Sequence, residues 1–334
     1  MVTINDVAKA ANVSASTVSR VIAGSNLISQ ETKDKVTKIM KQLDYHPNIL
    51  ARSLVNRSTK IIGLLIPGNG EAFSIPFYSE ILCGIVSSAN QSGYKILLSN
   101  INSDKEEEKT INDLAHSCIV EGFILMTSKI NDSSLKTLTK INFPFVMVGK
   151  PEASFENKIN WVDNDNFEAG YRLTKHFIDK GHKKIAFIGV TDKYMVTIDR
   201  FNGYKQALRD NGIIFDENLV VNGEFMKNNA SSMVKNLFDR KIDFTGLIAE
   251  DDYQAFSAVS YLNSNNITVP DDIAVAGFNN VLQSEYFVPP ITSVDVHPYT
   301  LGEKAFNLLL KTLGDSDVKC HEYVKTDIIV RRSC

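Results

Sequence analysis

The chain has 334 residues and a net charge of −3, with 43% hydrophobic and 22% charged side chains; this length predicts roughly two domains, and the composition excludes a largely disordered chain. Its longest apolar stretches, such as Ile61–Pro67, fall far short of the roughly 20 residues that span a bilayer, and Met1–Asp6 has no leader character. The expectation is a cytoplasmic protein without membrane contact. Cys83, Cys118, Cys320 and Cys334 are scattered and form no C-x-x-C pair, so reduced thiols are expected and no metal site or disulfide framework.

Charge is unevenly distributed. Residues 1–60 hold nine Lys/Arg against four Asp/Glu, a net +5, which leaves −8 for the remainder. A basic module on an acidic body predicts a polyanionic partner for the module. Its pattern predicts three short helices: Thr3-x-x-Asp6 has capping-box spacing, Ser14 can cap a second helix through Ile22, and Ser29 a third running to about Leu43. Pro47-Asn48 breaks the pattern, and Ile49–Asn56 could form one further short helix. The first two helices fit a helix-turn-helix. Ala8 is small at the crossing, Asn12 occupies the turn position that needs positive φ, and Val7, Val18 and Val21 supply the apolar contacts. The second helix carries Ser16, Thr17, Ser19 and Arg20, polar groups suited to base edges, with Arg20 matched to guanine. The alternative is a generic three-helix bundle with solvated Lys and Ser residues.

From Lys60 onward short apolar strands alternate with amphipathic segments. The predicted strands are Ile61–Pro67, Lys95–Ser99, Gly122–Met126, Phe145–Gly149, Lys184–Gly189, Thr245–Ala249 and Ile273–Phe278, with helical spacing in Phe77–Gln91, Phe167–Lys180 and Arg200–Asp210. This grammar predicts an α/β fold of doubly wound parallel sheets. About 275 residues is long for one sheet, so two similar lobes are expected, with a boundary near Asn160–Asp163 and a return through a Thr292–Val296 strand. Asp251-Asp252 invites a glycosidase reading, but consecutive residues at a helix start seldom face one substrate from opposite sides. Pro67-Gly68-Asn69-Gly70 lacks the remaining parts of a dinucleotide or phosphate loop. No catalytic constellation stands out, and neither an enzyme nor a cofactor is expected.

The run Asp6-Val7-Ala8…Val13-Ser14…Thr17-Val18-Ser19-Arg20-Val21, followed by Tyr45-His46-Pro47-Asn48…Ala51-Arg52-Ser53-Leu54, resembles the LacI/GalR family of bacterial transcription regulators. The resemblance continues through Gly181-His182-Lys183-Lys184-Ile185, Arg200-Phe201-Asn202-Gly203-Tyr204, Val269-Pro270-Asp271-Asp272-Ile273 and Pro289-Pro290-Ile291-Thr292-Ser293-Val294. It implies a helix-turn-helix domain over 1–46, a hinge helix over 47–59 and a two-lobed core resembling periplasmic binding proteins over 60–334. Lobe 1 would span about 60–160 and 293–321, and lobe 2 about 161–292 and 322–334. The implied DNA-binding set is Thr3, Ser14, Ala15, Ser16, Thr17, Ser19, Arg20, Tyr45 and Asn48, joined by Ala51, Leu54 and Arg57 in the hinge. There Leu54 would wedge into a central minor-groove step, as apolar side chains do when they kink DNA, unless it is an ordinary packing residue.

The resemblance also implies an effector cleft between the lobes, lined by Phe77, Tyr78, Trp161, Arg200, Phe225, Asp251 and Asn279; Trp161 could instead be interlobe core. Phe278-Asn279-Asn280 departs from the commoner Phe-Asp-Asp, and with Gly149-Lys150-Pro151 looks most like maltose-operon repressors of Gram-positive bacteria. The expectation is a homodimeric repressor that binds operator double-stranded DNA and is released by a small neutral sugar, maltose or a maltodextrin. No leucine heptads follow Lys325–Arg331, so no coiled-coil tetramer is expected. Two rivals remain: a catabolite-control regulator activated by a phosphorylated carrier protein, and a sugar-binding or sugar-processing protein.

Overall fold

The computed structural model describes residues 2–45, 58–67, 75–223, 230–315 and 319–334. The expected hinge helix, with Asn48, Ala51, Leu54 and Arg57, and the expected effector contact Phe225 lie outside the described residues. The chain divides into two compact units, residues 1–60 and 61–334.

Among its described residues the first unit has three helices, α1 (Ile4–Ala11), α2 (Ala15–Ile22) and α3 (Gln30–Gln42). Each begins where a side-chain hydroxyl covers an otherwise unsatisfied N–H. Thr3 forms the full capping box with Asp6, Ser14 accepts from Thr17 N–H, and Ser29 accepts from Thr32 N–H. Asn12 ends α1 at φ 54° and ψ 49°, a left-handed conformation that asparagine tolerates better than most side chains. Val7, Ala11, Val18 and Val36 form the closed core of this unit.

The second unit holds two six-stranded sheets. Sheet 1 has the order β11-β5-β4-β3-β1-β2, and sheet 2 the order β12-β10-β9-β8-β6-β7. In sheet 1 the strands are β1 (Ile61–Pro67), β2 (Lys95–Ile101), β3 (Gly122–Leu125), β4 (Phe145–Val148), β5 (Asn160–Asn164) and β11 (His321–Val324). In sheet 2 they are β6 (Ile185–Val190), β7 (Val220–Asn222), β8 (Gly246–Ala249), β9 (Ala274–Phe278), β10 (Thr292–Asp295) and β12 (Asp327–Ile329). All pairings are parallel except β10 with β12. Each sheet therefore repeats one winding, and the chain passes between the two after β5, after β10 and after β11.

The sheet membership shifts the expected lobe boundaries. β5 closes sheet 1 although the expected boundary put Trp161 onward in lobe 2, because Val146, Met147 and Val148 of β4 pair with Asn160, Trp161 and Val162. β10 belongs to sheet 2 through its pairing with β9, and β11 to sheet 1 through its pairing with β5.

The two lobes are also built around equivalent helix crossings. In lobe 1, helices Pro76–Gln91 and Pro298–Gly314 meet at Gly84 and Gly302, where an added Cβ would lie 2.1 Å from Tyr299 O and 2.2 Å from Ile81 O, respectively. In lobe 2, helices Asn166–Asp179 and Met195–Asp210 meet at Gly170 and Gly203, where it would lie 2.2 Å from Arg200 O and 2.0 Å from Phe167 O. Only glycine lets these backbones approach so closely. Among the described residues no helix is long and apolar enough to cross a membrane.

Candidate functional site

The first unit presents one polar helix face. Because Val18 is buried and Ala15, Val21 and Ile22 pack against the core, α2 turns Ser16 and Arg20 outward, one helical turn apart. Ser14 Oγ sits at the N-terminus of α2, 3.1 Å from Thr17 N and 2.8 and 2.9 Å from the Ser16 and Thr17 hydroxyls. Ser19 and Thr17 are half-buried at the edge of this face. Besides the cap Ser14, three of the expected contacts have structural duties. Ala15 turns its methyl to the core, Thr3 is engaged in the capping box with Asp6, and half-buried Tyr45 packs on the core with its N–H bonded to Met40 O.

In the second unit a cavity of about 870 Å³, counting its open mouth, lies at the C-terminal ends of the strands of both sheets. Open parallel sheets place ligands at such ends. Its walls differ in character. Lobe 1 supplies Ile75, Phe77, Tyr78, Met126 and Val148, with the two rings packed edge to face at 5.3 Å. Lobe 2 and the end of β5 supply polar groups: Asp163, Asn166, Arg200, Glu250, Asp251, Gln254 and Asn279. Five expected effector residues, Phe77, Tyr78, Arg200, Asp251 and Asn279, are thus brought together.

Arg200 is only 5% exposed. Its Nε donates to Asn166 Oδ1 at 3.1 Å, its Nη1 to Glu250 O at 2.8 Å and to Glu250 Oε1 at 3.3 Å, and its guanidinium lies 4.2 Å from the centre of the Phe278 ring. These contacts fix the plane of the fork and aim it at the cavity. Asp163 accepts from Lys150 N–H and Asn164 N–H, both at 2.7 Å, and from Asn166 Nδ2 at 3.1 Å; burial still raises its carboxyl to about 6. Burial likewise pushes the Glu250 carboxyl well above the usual range, opposed by Arg200. Asp251 caps the helix Asp252–Ser264 through Gln254 N–H at 2.8 Å and lines the cavity as well.

Two buried polar atoms on the cavity wall, Glu250 Oε2 and Gln254 Oε1, have no partner. Buried polar groups are ordinarily hydrogen-bonded, so this wall is shaped for hydrogen-bonding partners that the protein does not itself supply. Gly189 makes room for both side chains. At φ +94° it carries no side chain where a Cβ would lie 2.3 Å from Gln254 Oε1 and 2.8 Å from Glu250 Cβ. At the rim, next to Ser128, the lobes are joined by backbone bonds from Ile130 N–H to Lys193 O at 2.9 Å and from Met195 N–H to Ser128 O at 3.3 Å.

One expectation needs correction. Trp161 does not reach the cavity: it is fully buried in the lobe 1 core, stacked on His321 at 4.6 Å, with its Nε1 donating to Glu156 O at 3.0 Å. It lies two residues, about 7 Å, behind Asp163, which lines the cavity from β5. Asp252 also faces away from the cavity, accepting from Val281 N–H, Ser284 Oγ and Ser293 Oγ at 2.9, 2.7 and 2.6 Å. It ties the loop after β9 to β10, so the adjacent carboxylates do not form a catalytic pair. Asn280 is structural too, accepting from Arg331 Nη2 at 2.7 Å and donating to Asp295 Oδ2 at 3.0 Å; an aspartate there would lose the second bond. Asp163, Asn166, Glu250 and Gln254 were not singled out from sequence, although all four lie at strand–helix junctions, which is the signal that could have found them.

Residues 3–48 match the model of bacterial regulatory proteins of the lacI family, and residues 174–334 that of the periplasmic binding protein-like domain. The HTH-type transcriptional regulator MalR of Streptococcus pneumoniae serotype 4 is 37% identical over 317 residues, covering 94% of each chain. Among solved structures, the transcriptional regulator CelR–cellobiose complex superposes with a TM-score of 0.79 at 29% identity, covering 100% of both chains. A probable maltose operon transcriptional repressor, MalR, of Staphylococcus aureus superposes at 0.74 with 26% identity, covering 82% of this chain and 97% of the other. The chain belongs to the lacI family of bacterial regulatory proteins, which are DNA-binding transcriptional regulators and not enzymes.

Proposed function

We propose that this regulator is a cytoplasmic homodimeric repressor, with a reading head in residues 1–46, a hinge in 47–59 and an effector core in 60–334. Two copies of α2 read adjacent major-groove half-sites of a near-palindromic operator through Ser16, Thr17, Ser19 and Arg20. Leu54 wedges into the central step, and a small neutral sugar in the interlobe cavity releases the DNA by preferring the DNA-incompetent state. The observation that carries the effector reading is the polar wall around Arg200, with the buried and unpartnered oxygens of Glu250 and Gln254, facing the Phe77–Tyr78 rings. An amphipathic cavity of this kind suits a sugar ring, which has apolar faces and a hydroxyl edge. Maltose or a maltodextrin is the proposed ligand, supported by the likeness to the maltose operon repressor.

The test is operator binding by the purified chain at fixed salt, with maltose, maltotriose and other neutral sugars titrated in. Release by maltose or maltotriose is expected. Tight binding that ignores every sugar and strengthens with a phosphorylated carrier protein would replace this reading with the catabolite-control one. Leu54→Ala is expected to weaken specific operator binding much more than nonspecific binding, and equal losses would remove the wedge.

A further inference from the structure

Of the three carboxyls around Arg200, Glu250 alone has an oxygen that is both buried and without a partner. Asp163 already accepts three hydrogen bonds, and Asp251 is held by its helix cap. Glu250 itself is 5% exposed and its Oε1 faces Arg200, so only Oε2 remains for a ligand. Gln254 Oε1, also buried and unpartnered, belongs to the same wall, and the left-handed Gly189 lets both side chains pack against its backbone. Among the described residues, the side chains lining the cavity include these three carboxyls against a single cation, Arg200. A phosphate group brought in here would meet, among the described residues, one guanidinium that Asn166 and Glu250 already engage.

Resting on the effector reading of the cavity, we propose that Glu250 is a specificity-determining residue: its Oε2, beside Gln254, hydrogen-bonds one hydroxyl of an unphosphorylated sugar and excludes the phosphorylated form. Leaving one buried partner without its bond is the strongest discrimination a polar pocket has, worth far more than a missing methylene. The specificity thus comes from a side chain one position before the helix cap Asp251, and Arg200 holds it in place.

The test is calorimetric titration of the full chain and of Glu250→Gln with maltose, cellobiose and their 6′-phosphates, with thermal melting as the check on folding. The expected result has three parts: wild type binds one neutral disaccharide, its phosphate binds at least 10-fold more weakly, and Glu250→Gln loses at least 10-fold for the neutral sugar while its preference over the phosphate shrinks. Unchanged binding by a folded Glu250→Gln overturns the role of Glu250 and leaves the effector reading standing. Wild type that binds only phosphorylated sugars, or none of the four, overturns both. Should Glu250→Gln fail to fold, single-hydroxyl deletions on the bound disaccharide decide with wild type alone. One deoxy position must lose at least 10-fold, and a series with no sensitive hydroxyl overturns the proposal.

Discussion

Replacing Gly170 by alanine tests whether the helix crossing in lobe 2 sets the position of Arg200. The new Cβ would lie 2.2 Å from Arg200 O, 2.8 Å from its C and 2.9 Å from its Cα, and ordinary contact begins at 3.4 Å. The helices Asn166–Asp179 and Met195–Asp210 must therefore part by about 1 Å. Overpacking of this kind costs about 1–3 kcal/mol, which in a chain of this size lowers Tm by roughly 2–4 °C per kcal/mol. The displacement acts directly on the backbone that carries the guanidinium, whose bond to Asn166 spans the same two helices at 3.1 Å. A shift of 1 Å breaks it, so sugar affinity is expected to fall at least 10-fold by titration calorimetry. Gly84→Ala makes the equivalent clash in lobe 1, 2.1 Å from Tyr299 O, on the helix that carries Phe77 and Tyr78, and is the comparison that leaves the Arg200 crossing untouched. Gly314→Ala meets nothing within 4 Å and is expected to be neutral. If Gly170→Ala and Gly84→Ala lose equal stability and equal sugar affinity, the crossing does not position Arg200.

Arg200→Ala is expected to leave operator binding intact and abolish release by sugar in a mobility-shift assay; a normal response would remove Arg200 from the pocket. Asn280→Asp replaces the donor to Asp295 by a second carboxylate and is expected to cost about 1–3 kcal/mol at pH 8, less at pH 5, where the pair can share a proton. Equal melting of Asn280→Asp and wild type at pH 8 would refute that account of Asn280. Stability should also fall between pH 6.5 and 8. Burial raises the Asp252 carboxyl to about 7 and the Glu250 carboxyl upward as well, so over this range the folded chain holds protons that the unfolded chain has released, and the stability they provide is lost as pH rises. Each group contributes up to about 1.4 kcal/mol per pH unit. Asp6, Glu322 and Asp327, held low by Thr3, Lys304 and His297, titrate below this window; His176 and His182, lowered by burial from the ordinary 6.5, oppose the fall at its lower edge, where their unfolded forms still shed protons. A melting temperature that is flat or rises from pH 6.5 to 8 would show that the buried carboxylates stay ionised.

The strands that announced themselves in sequence are those whose interior positions are apolar. β1 is bounded as expected, and β8 and β9 are each one residue shorter at the start. β5 was legible only as a boundary because it reads Asn-Trp-Val-Asp-Asn, although it is buried throughout. Its polar side chains are satisfied from far along the chain: Asn160 bonds Thr312 and Cys320, and Asn164 bonds Val296 and Val324. No local pattern encodes such partners. Arg200 and Asp251 were legible by resemblance, and Asn12 by the turn it occupies. Trp161 was legible as a ring but not by its depth along the strand, and Glu250 was masked by the two aspartates that follow it.

The rim bonds permit a sharper perturbation of the cleft than any cavity mutation. Met195 is the first residue of its helix, and Tyr194 before it sits at φ −126° and ψ 133°, the extended region that a residue preceding proline adopts. Proline is favoured at this first helical position, where an intrahelical N–H partner is missing anyway. Met195→Pro should therefore leave the helix intact and delete one interlobe hydrogen bond, that from Met195 N–H to Ser128 O. A single neutral hydrogen bond is worth about 1 kcal/mol, so the open arrangement of the lobes gains roughly fivefold in population. If ligand enters through that opening, sugar association measured by stopped flow accelerates by a similar factor, while Tm changes by only a few degrees. An unchanged association rate with an unchanged Tm would mean that the lobes part without breaking the rim, and entry would then have to proceed by another face of the cleft.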